Sequence, residues 1–137
     1  MKNAARFFLI CGVVAAGVAA MAEARCYYLC GKCAVAVGKE KTPAVFACSG
    51  GGHHRWTDLG KAGNSVYLCR KCTVAVKTAA RPNPADCPAS GHHDWTLLGK
   101  TGRDRHLCRK CKIKVAVSGR PSVFNCPEGG HHQWDKL

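Results

Sequence analysis

The chain has 137 residues, 11 of them Cys and 15 Gly, with a formal net charge of +13. That length excludes large architectures such as an α/β barrel, which needs about 250 residues, and leaves room for one ordinary domain or several very small ones. Cys at about 8% of residues is near the level where a disulfide or metal scaffold is expected, and the Gly residues show no three-residue period, which excludes a collagen-like chain.

In chain order, the first segment is an address. Met1 to Arg6 carries Lys2 and Arg6 and no acid, and Phe7 to Ala22 follows without a charge. Ala22-Glu23-Ala24 then closes the segment with small residues either side of a third. This is the order of a secretory signal peptide, and a 16-residue apolar run is short of the roughly 20 that a membrane anchor uses. The expectation is an exported protein, periplasmic, secreted or at the cell surface, with residues 1–24 removed. The 113 residues left carry a net +12, ten Cys and all seven His.

From there the chain is one motif written three times with a period of 39 residues. Cys30, Cys69 and Cys108 keep that step, as do Cys33, Cys72 and Cys111, and Cys48, Cys87 and Cys126. His53, His92 and His131 keep it too, and so do His54, His93 and His132, and Trp56, Trp95 and Trp134. No insertion or deletion interrupts the alignment. The repeats are taken as 27–59, 66–98 and 105–137. The connectors 60–65 and 99–104 both begin Gly-Lys-x-Gly and read as flexible polar linkers.

Each repeat reads as β. Tyr28-Leu29-Cys30 leads into a tight Cys-x-x-Cys turn. Val35 and Val37 alternate with Ala34 and Ala36, and Ile113 and Val115 alternate with Lys112 and Lys114, a period of two. A loop around Pro43, Pro82 or Pro121 follows, then the third Cys, a Gly-rich turn and a last strand through His-His-x-Trp. The fold class expected is small, metal-stabilised and all-β: three tandem β-ribbon modules.

A unit of some 33 residues cannot bury enough apolar surface to offset its chain entropy, so it needs a disulfide set or a metal. Two Cys two residues apart chelate one ion from a tight turn, and a third Cys and a His on a second turn complete four N/S ligands. That is the tetrahedral set zinc prefers. Disulfides suit an exported chain, but three Cys per repeat leave one over, and disulfides give no reason for His to repeat with Cys. The expectation is three Zn²⁺ per chain, with iron the weaker candidate. Strand parity chooses between the paired His. His54 and Trp56 share one face of a strand, while His53 shares the other with Arg55. Expected ligands are therefore Cys30, Cys33, Cys48 and His54; Cys69, Cys72, Cys87 and His93; and Cys108, Cys111, Cys126 and His132. On this parity Leu59 falls on the wrong face, so the strand is expected to end or twist near it.

These residues resemble zinc ribbons and rubredoxin-like modules, in which two knuckle turns joined by a β-ribbon each offer a pair of ligands. Cys126-Pro127-Glu128-Gly129-Gly130-His131-His132-Gln133-Trp134 is similar to short bacterial modules ending Cys-Pro-x-Gly-Gly-x-His-x-Trp. The resemblance covers nearly all of the chain after residue 24. It departs at the second knuckle, where His replaces a fourth Cys after a longer turn. It departs again after the first knuckle, where Ala34, Thr73 and Lys112 stand in place of the usual Gly. It implies a fold and a metal, and no activity.

Lys32, Lys71 and Lys110, between the paired Cys, read either as cations favouring the thiolates or as solvated turn residues. The three Trp read as core. Repeats 1 and 2 carry +2 each and repeat 3 carries +5, with Arg103, Arg105, Arg109, Lys110, Lys112 and Lys114 around its first knuckle. That cluster reads either as a contact surface for polyanions such as nucleic acid, acidic glycans or an anionic lipid surface, or as charge that keeps the chain soluble. A closed four-ligand site leaves no position for catalysis, and no small-molecule substrate is evident. The sequence therefore reads as a non-enzymatic, exported zinc-binding scaffold. Envelope metal buffering or transfer, and a thiol redox or disulfide-stabilised secreted protein, are the alternatives.

Overall fold

The computed structural model describes residues 25–137, so the signal-peptide reading of 1–24 lies outside the described residues. The described chain is all β: β1 (Cys26–Cys30), β2 (Ala36–Lys39), β3 (Trp56–Cys69), β4 (Ala75–Thr78), β5 (Trp95–Cys108), β6 (Lys114–Val117) and β7 (Trp134–Lys136). Every pairing is antiparallel, along the path β2-β1-β3-β5-β6, with β4 on β3 and β7 on β5. Each repeat contributes the same three-stranded pattern. The strand entering the first knuckle pairs with the short strand leaving it and with the strand that follows the His pair.

The connectors are not flexible linkers. Residues 60–65 lie inside β3 and residues 99–104 inside β5, and each of these strands runs 14 residues from the Trp of one repeat to the first Cys of the next. The polar composition that suggests a linker belongs to a bulged strand. Between Ala62 and Ser65, which both oppose Thr78, two residues are looped out of register; Thr101 and Asp104 do the same against Val117. The loop is Gly-containing for a steric reason. A Cβ at Gly63 would lie 2.3 Å from Ala79 Cα, and one at Gly102 would lie 2.3 Å from the Ser118 nitrogen. Only a residue without a side chain lets the two backbones approach so closely.

A second bulge settles the parity of Leu59. Opposite Tyr28 and Tyr27 stand Asp58 and Gly60, so Leu59 is the extra residue, and Leu98 is the extra residue against Tyr67 and Val66. One inserted residue reverses the alternation, which lets Trp56 and Leu59 both face inward. Leu59 and Leu98 are buried. The last strand also starts later than the sequence suggests: it begins at Trp56, Trp95 and Trp134, and the His pairs lie in the irregular stretch ahead of it.

The repeats pack on one another. One core cluster joins Leu29 and Leu59 of repeat 1 to Val76 and Trp95 of repeat 2. The other joins Val66, Leu68 and Leu98 to Val115, Val117 and Trp134. Backbone bonds from Asn83 N to Leu59 O (3.0 Å) and from Ser122 N to Leu98 O (2.8 Å) tie each Pro-containing loop to the preceding repeat. An array of this kind draws its stability from each unit and from each interface.

Gly102→Ala is expected to lower stability by about 1–3 kcal/mol, the usual cost of overpacking. Gly38→Ala, whose added Cβ would come no closer than 3.8 Å to Tyr27, should be near neutral. Denaturant midpoints of the two variants at equal metal loading check this; equal midpoints would show that the bulge is soft.

Candidate metal centres

The first knuckle turns where Ala34 N donates to Cys30 O and Cys30 N to Val35 O, both at 3.0 Å. The turn demands a left-handed backbone after the second Cys, and Ala34, Thr73 and Lys112 adopt φ of 62°, 62° and 63° there. These are the positions where a Gly is absent from the sequence. The second knuckle turns at Gly51 N to Cys48 O (3.0 Å) and Cys48 N to Gly52 O (3.1 Å), with the same bonds in the other repeats. The His that follows is held by its own backbone, His54 N donating to Val45 O, His93 N to Pro84 O and His132 N to Val123 O.

Trp56 Nε1 donates to Ala44 O, Trp95 Nε1 to Asn83 O and Trp134 Nε1 to Ser122 O, which pins the Pro-containing loop. The second His of each pair stacks on this Trp, with ring centroids 4.5–4.6 Å apart. The first His of each pair, His53, His92 and His131, is exposed.

These turns bring together three clusters: Cys30, Cys33, Cys48 and His54; Cys69, Cys72, Cys87 and His93; Cys108, Cys111, Cys126 and His132. Within each cluster the ligand atoms lie within 4.8 Å of one another. A tetrahedral zinc with bonds of about 2.3 Å to sulfur and 2.0–2.1 Å to nitrogen sets S···S edges near 3.8 Å and S···N edges near 3.6 Å. Cys30 Sγ and Cys48 Sγ are 3.8 Å apart, and the Nδ1 of His54, His93 and His132 is 3.5 Å from the Sγ of Cys33, Cys72 and Cys111. The donors fit the metal, with Nδ1 as the nitrogen facing it. All ten described Cys are free thiols, including Cys26 of β1, which belongs to no cluster.

The electrostatics favour a cation. Burial opposes charge on Cys30, but N–H groups of Cys33, Lys32 and Arg55 and the His54 ring outweigh it and bring its thiol down to about 5. Cys69 falls to about 3, chiefly through the hydrogen bond from Cys72, and Cys108 is lowered too. Their neighbours move the other way. The Cys69 sulfur and burial push Cys72 up, and burial with the Cys108 sulfur pushes Cys111 up to about 12. Several thiols cannot ionise side by side without a positive charge between them. Burial and then Lys110 push His132 down, in the direction of the neutral imidazole that a metal ligand must be. The Nε2 atoms of His93 and His132 are buried without a hydrogen-bond partner, so the ring is positioned by Trp stacking and the His backbone.

The Lys between the paired Cys joins the two knuckles. Lys32 Nζ donates to Gly51 O and, at 3.1 Å, to His53 O. Lys71 reaches Ser90 O and His92 O, and Lys110 reaches Gly129 O and His131 O. Its identity in all three copies was the available signal for this clamp. The cationic cluster of repeat 3 is thinned accordingly, because Lys110 is engaged and Arg109 pairs with Asp135 at 2.5 Å. Arg103, Arg105, Lys112 and Lys114 are exposed and form no ion pair among the described residues.

Thr73 is β-branched at positive φ, where such a residue is strained by roughly 1–2 kcal/mol. Thr73→Gly should therefore raise stability by about 1 kcal/mol, after the entropy Gly adds to the unfolded chain. A thermal midpoint at fixed metal loading measures it, and a lower midpoint would contradict the strain.

Comparison with protein-family models, with curated proteins and with solved structures finds no match for this chain. The geometry by itself gives an all-β chain with three tandem Cys-Cys-Cys-His clusters, each able to hold a metal ion, an arrangement that fits zinc-ribbon-like modules.

Proposed function

We propose that this is an exported zinc-binding repeat protein whose three metal ions are structural and whose role is to present a rigid, non-catalytic binding scaffold. The observation that carries the reading is the match of the S···N separation to a tetrahedral edge in all three clusters, with the S···S separation of the first cluster matching as well. The donor set of three thiolates and one imidazole suits zinc and fills its coordination shell, leaving no open position for a substrate. Each ion would bridge the turn at the end of β1, β3 or β5 and a second turn outside the sheet. Structural zinc contributes on the order of 10–16 kcal/mol in small domains, ample for units of this size. Burial of Cys69 and Cys87 in one inter-repeat core and of Cys108 and Cys126 in the other ties metal occupancy at the second and third clusters to folding, which favours a scaffold over a metal buffer that exchanges its cargo freely. Export rests on the sequence of residues 1–24.

Purified protein should contain three zinc ions per chain, and chelation should abolish the folded CD and NMR spectra. Fully oxidised Cys with no bound metal would end the zinc reading. Zinc loss with an unchanged spectrum would favour buffering.

The ligand assignment has its own test. His54→Ala should weaken metal binding at the first site far more than His53→Ala, because His54 Nδ1 faces Cys33 Sγ while His53 is exposed. Metal titration of the two variants decides it, and the reverse order would reassign the ligand.

A further inference from the structure

The three repeats serve as controls for one another. Each repeat has a tail face, which packs on the next repeat, and a head face, which receives the one before. On the tails of repeats 1 and 2 the contacts are apolar. Tyr27, Leu29 and Leu59 cover the head of repeat 2, and Val66, Leu68 and Leu98 cover the head of repeat 3. The covered heads are Val76 and Trp95, at 2% and 4% exposure, and Val115 and Trp134, at 7% and 8%.

The two remaining faces differ. On the tail of repeat 3, Arg105 stands where Tyr27 and Val66 stand. It lines an open cleft with Lys114, Val115 and Leu137. A charge at such an interface position blunts the face that carries it. The head of repeat 1 carries no such substitution at its centre. Val37 and Trp56 occupy the positions of Val76 and Trp95 but are only partly buried, and Val35 and Val45 are 45% and 37% exposed. Nothing among the described residues covers this face, though its counterparts are covered twice in the same molecule.

We propose that the head face of repeat 1 is a self-association surface, which pairs with the same face of a second copy about a two-fold axis. Continuity with the two internal interfaces identifies the face as one built to be covered. The charged tail opposes a head-to-tail arrangement, because Arg105, at the position of the buried Val66, would be desolvated against Val37 and Trp56. The remaining self-complementary solution is closed and isologous. The rim suits it: Lys39 and Glu40 are adjacent and exposed at the end of β2, so a two-fold axis can set each Lys39 against the other copy's Glu40.

The test is sedimentation of zinc-loaded protein of residues 25–137, which contain the whole described fold, across the micromolar range. The expected result is a reversible dimer. Val35→Glu should raise its dissociation constant about tenfold or more with zinc content unchanged, and Val35 is exposed enough for the substitution to leave the fold alone. Arg105→Glu should leave the dimer intact. A monomer throughout, a dimer indifferent to Val35→Glu, dissociation by Arg105→Glu, or growth beyond two copies would each overturn the proposal.

Discussion

The molecule depends on two tight turns meeting at one point. The first turn joins two paired strands while the second lies outside the sheet, and a repeat of this size has too little apolar surface to press them together. What brings them together is convergent chemistry: three thiols and an imidazole pointed inward, a Lys reaching across from one turn to the other's carbonyls, and a Trp stacked on the imidazole. The clusters also place several ionisable sulfurs where they repel one another once ionised. The same feature that makes the metal-free arrangement unfavourable makes it selective for a cation.

The second level of organisation is the sharing of strands. β3 and β5 each finish one repeat and begin the next, so the first part of each strand pairs within the repeat it closes and the last part within the repeat it opens. Apolar side chains from both sides meet in the same clusters. Repeats 2 and 3, each packed against the repeat before it, bury their Trp and cluster His more fully than repeat 1 does.

Much of this was legible in the sequence, and the reason is the internal repetition. Three copies show which Cys and His travel together, and the period of two after the first knuckle marks the short strands. The connectors were misread because glycines and polar residues look alike in a flexible linker and in a strand that loops out two residues. Gly63 and Gly102 are required by a close backbone approach, which depends on Ala79 and Ser118, residues distant in sequence. Leu59 defeated simple parity for a related reason: a bulge inserts one residue and reverses the faces, and no local pattern announces it. The Lys clamp needs both turns in place before its acceptors exist. Packing between repeats was equally hidden, since Tyr27 and Leu29 read as apolar without showing which unit they serve.

Strand sharing also governs how such a chain can change in length. β3 and β5 begin at equivalent Trp residues, end at equivalent Cys residues and carry the same bulges. Excising one complete period between any two equivalent positions would rejoin a strand to an equivalent strand, with pleat and register intact. Excising part of a period would leave a strand whose inward and outward faces no longer agree across the join. Length in this architecture is therefore quantised: the molecule accommodates gain or loss of whole repeats, while a change of one residue in a connector is felt by the two modules it unites.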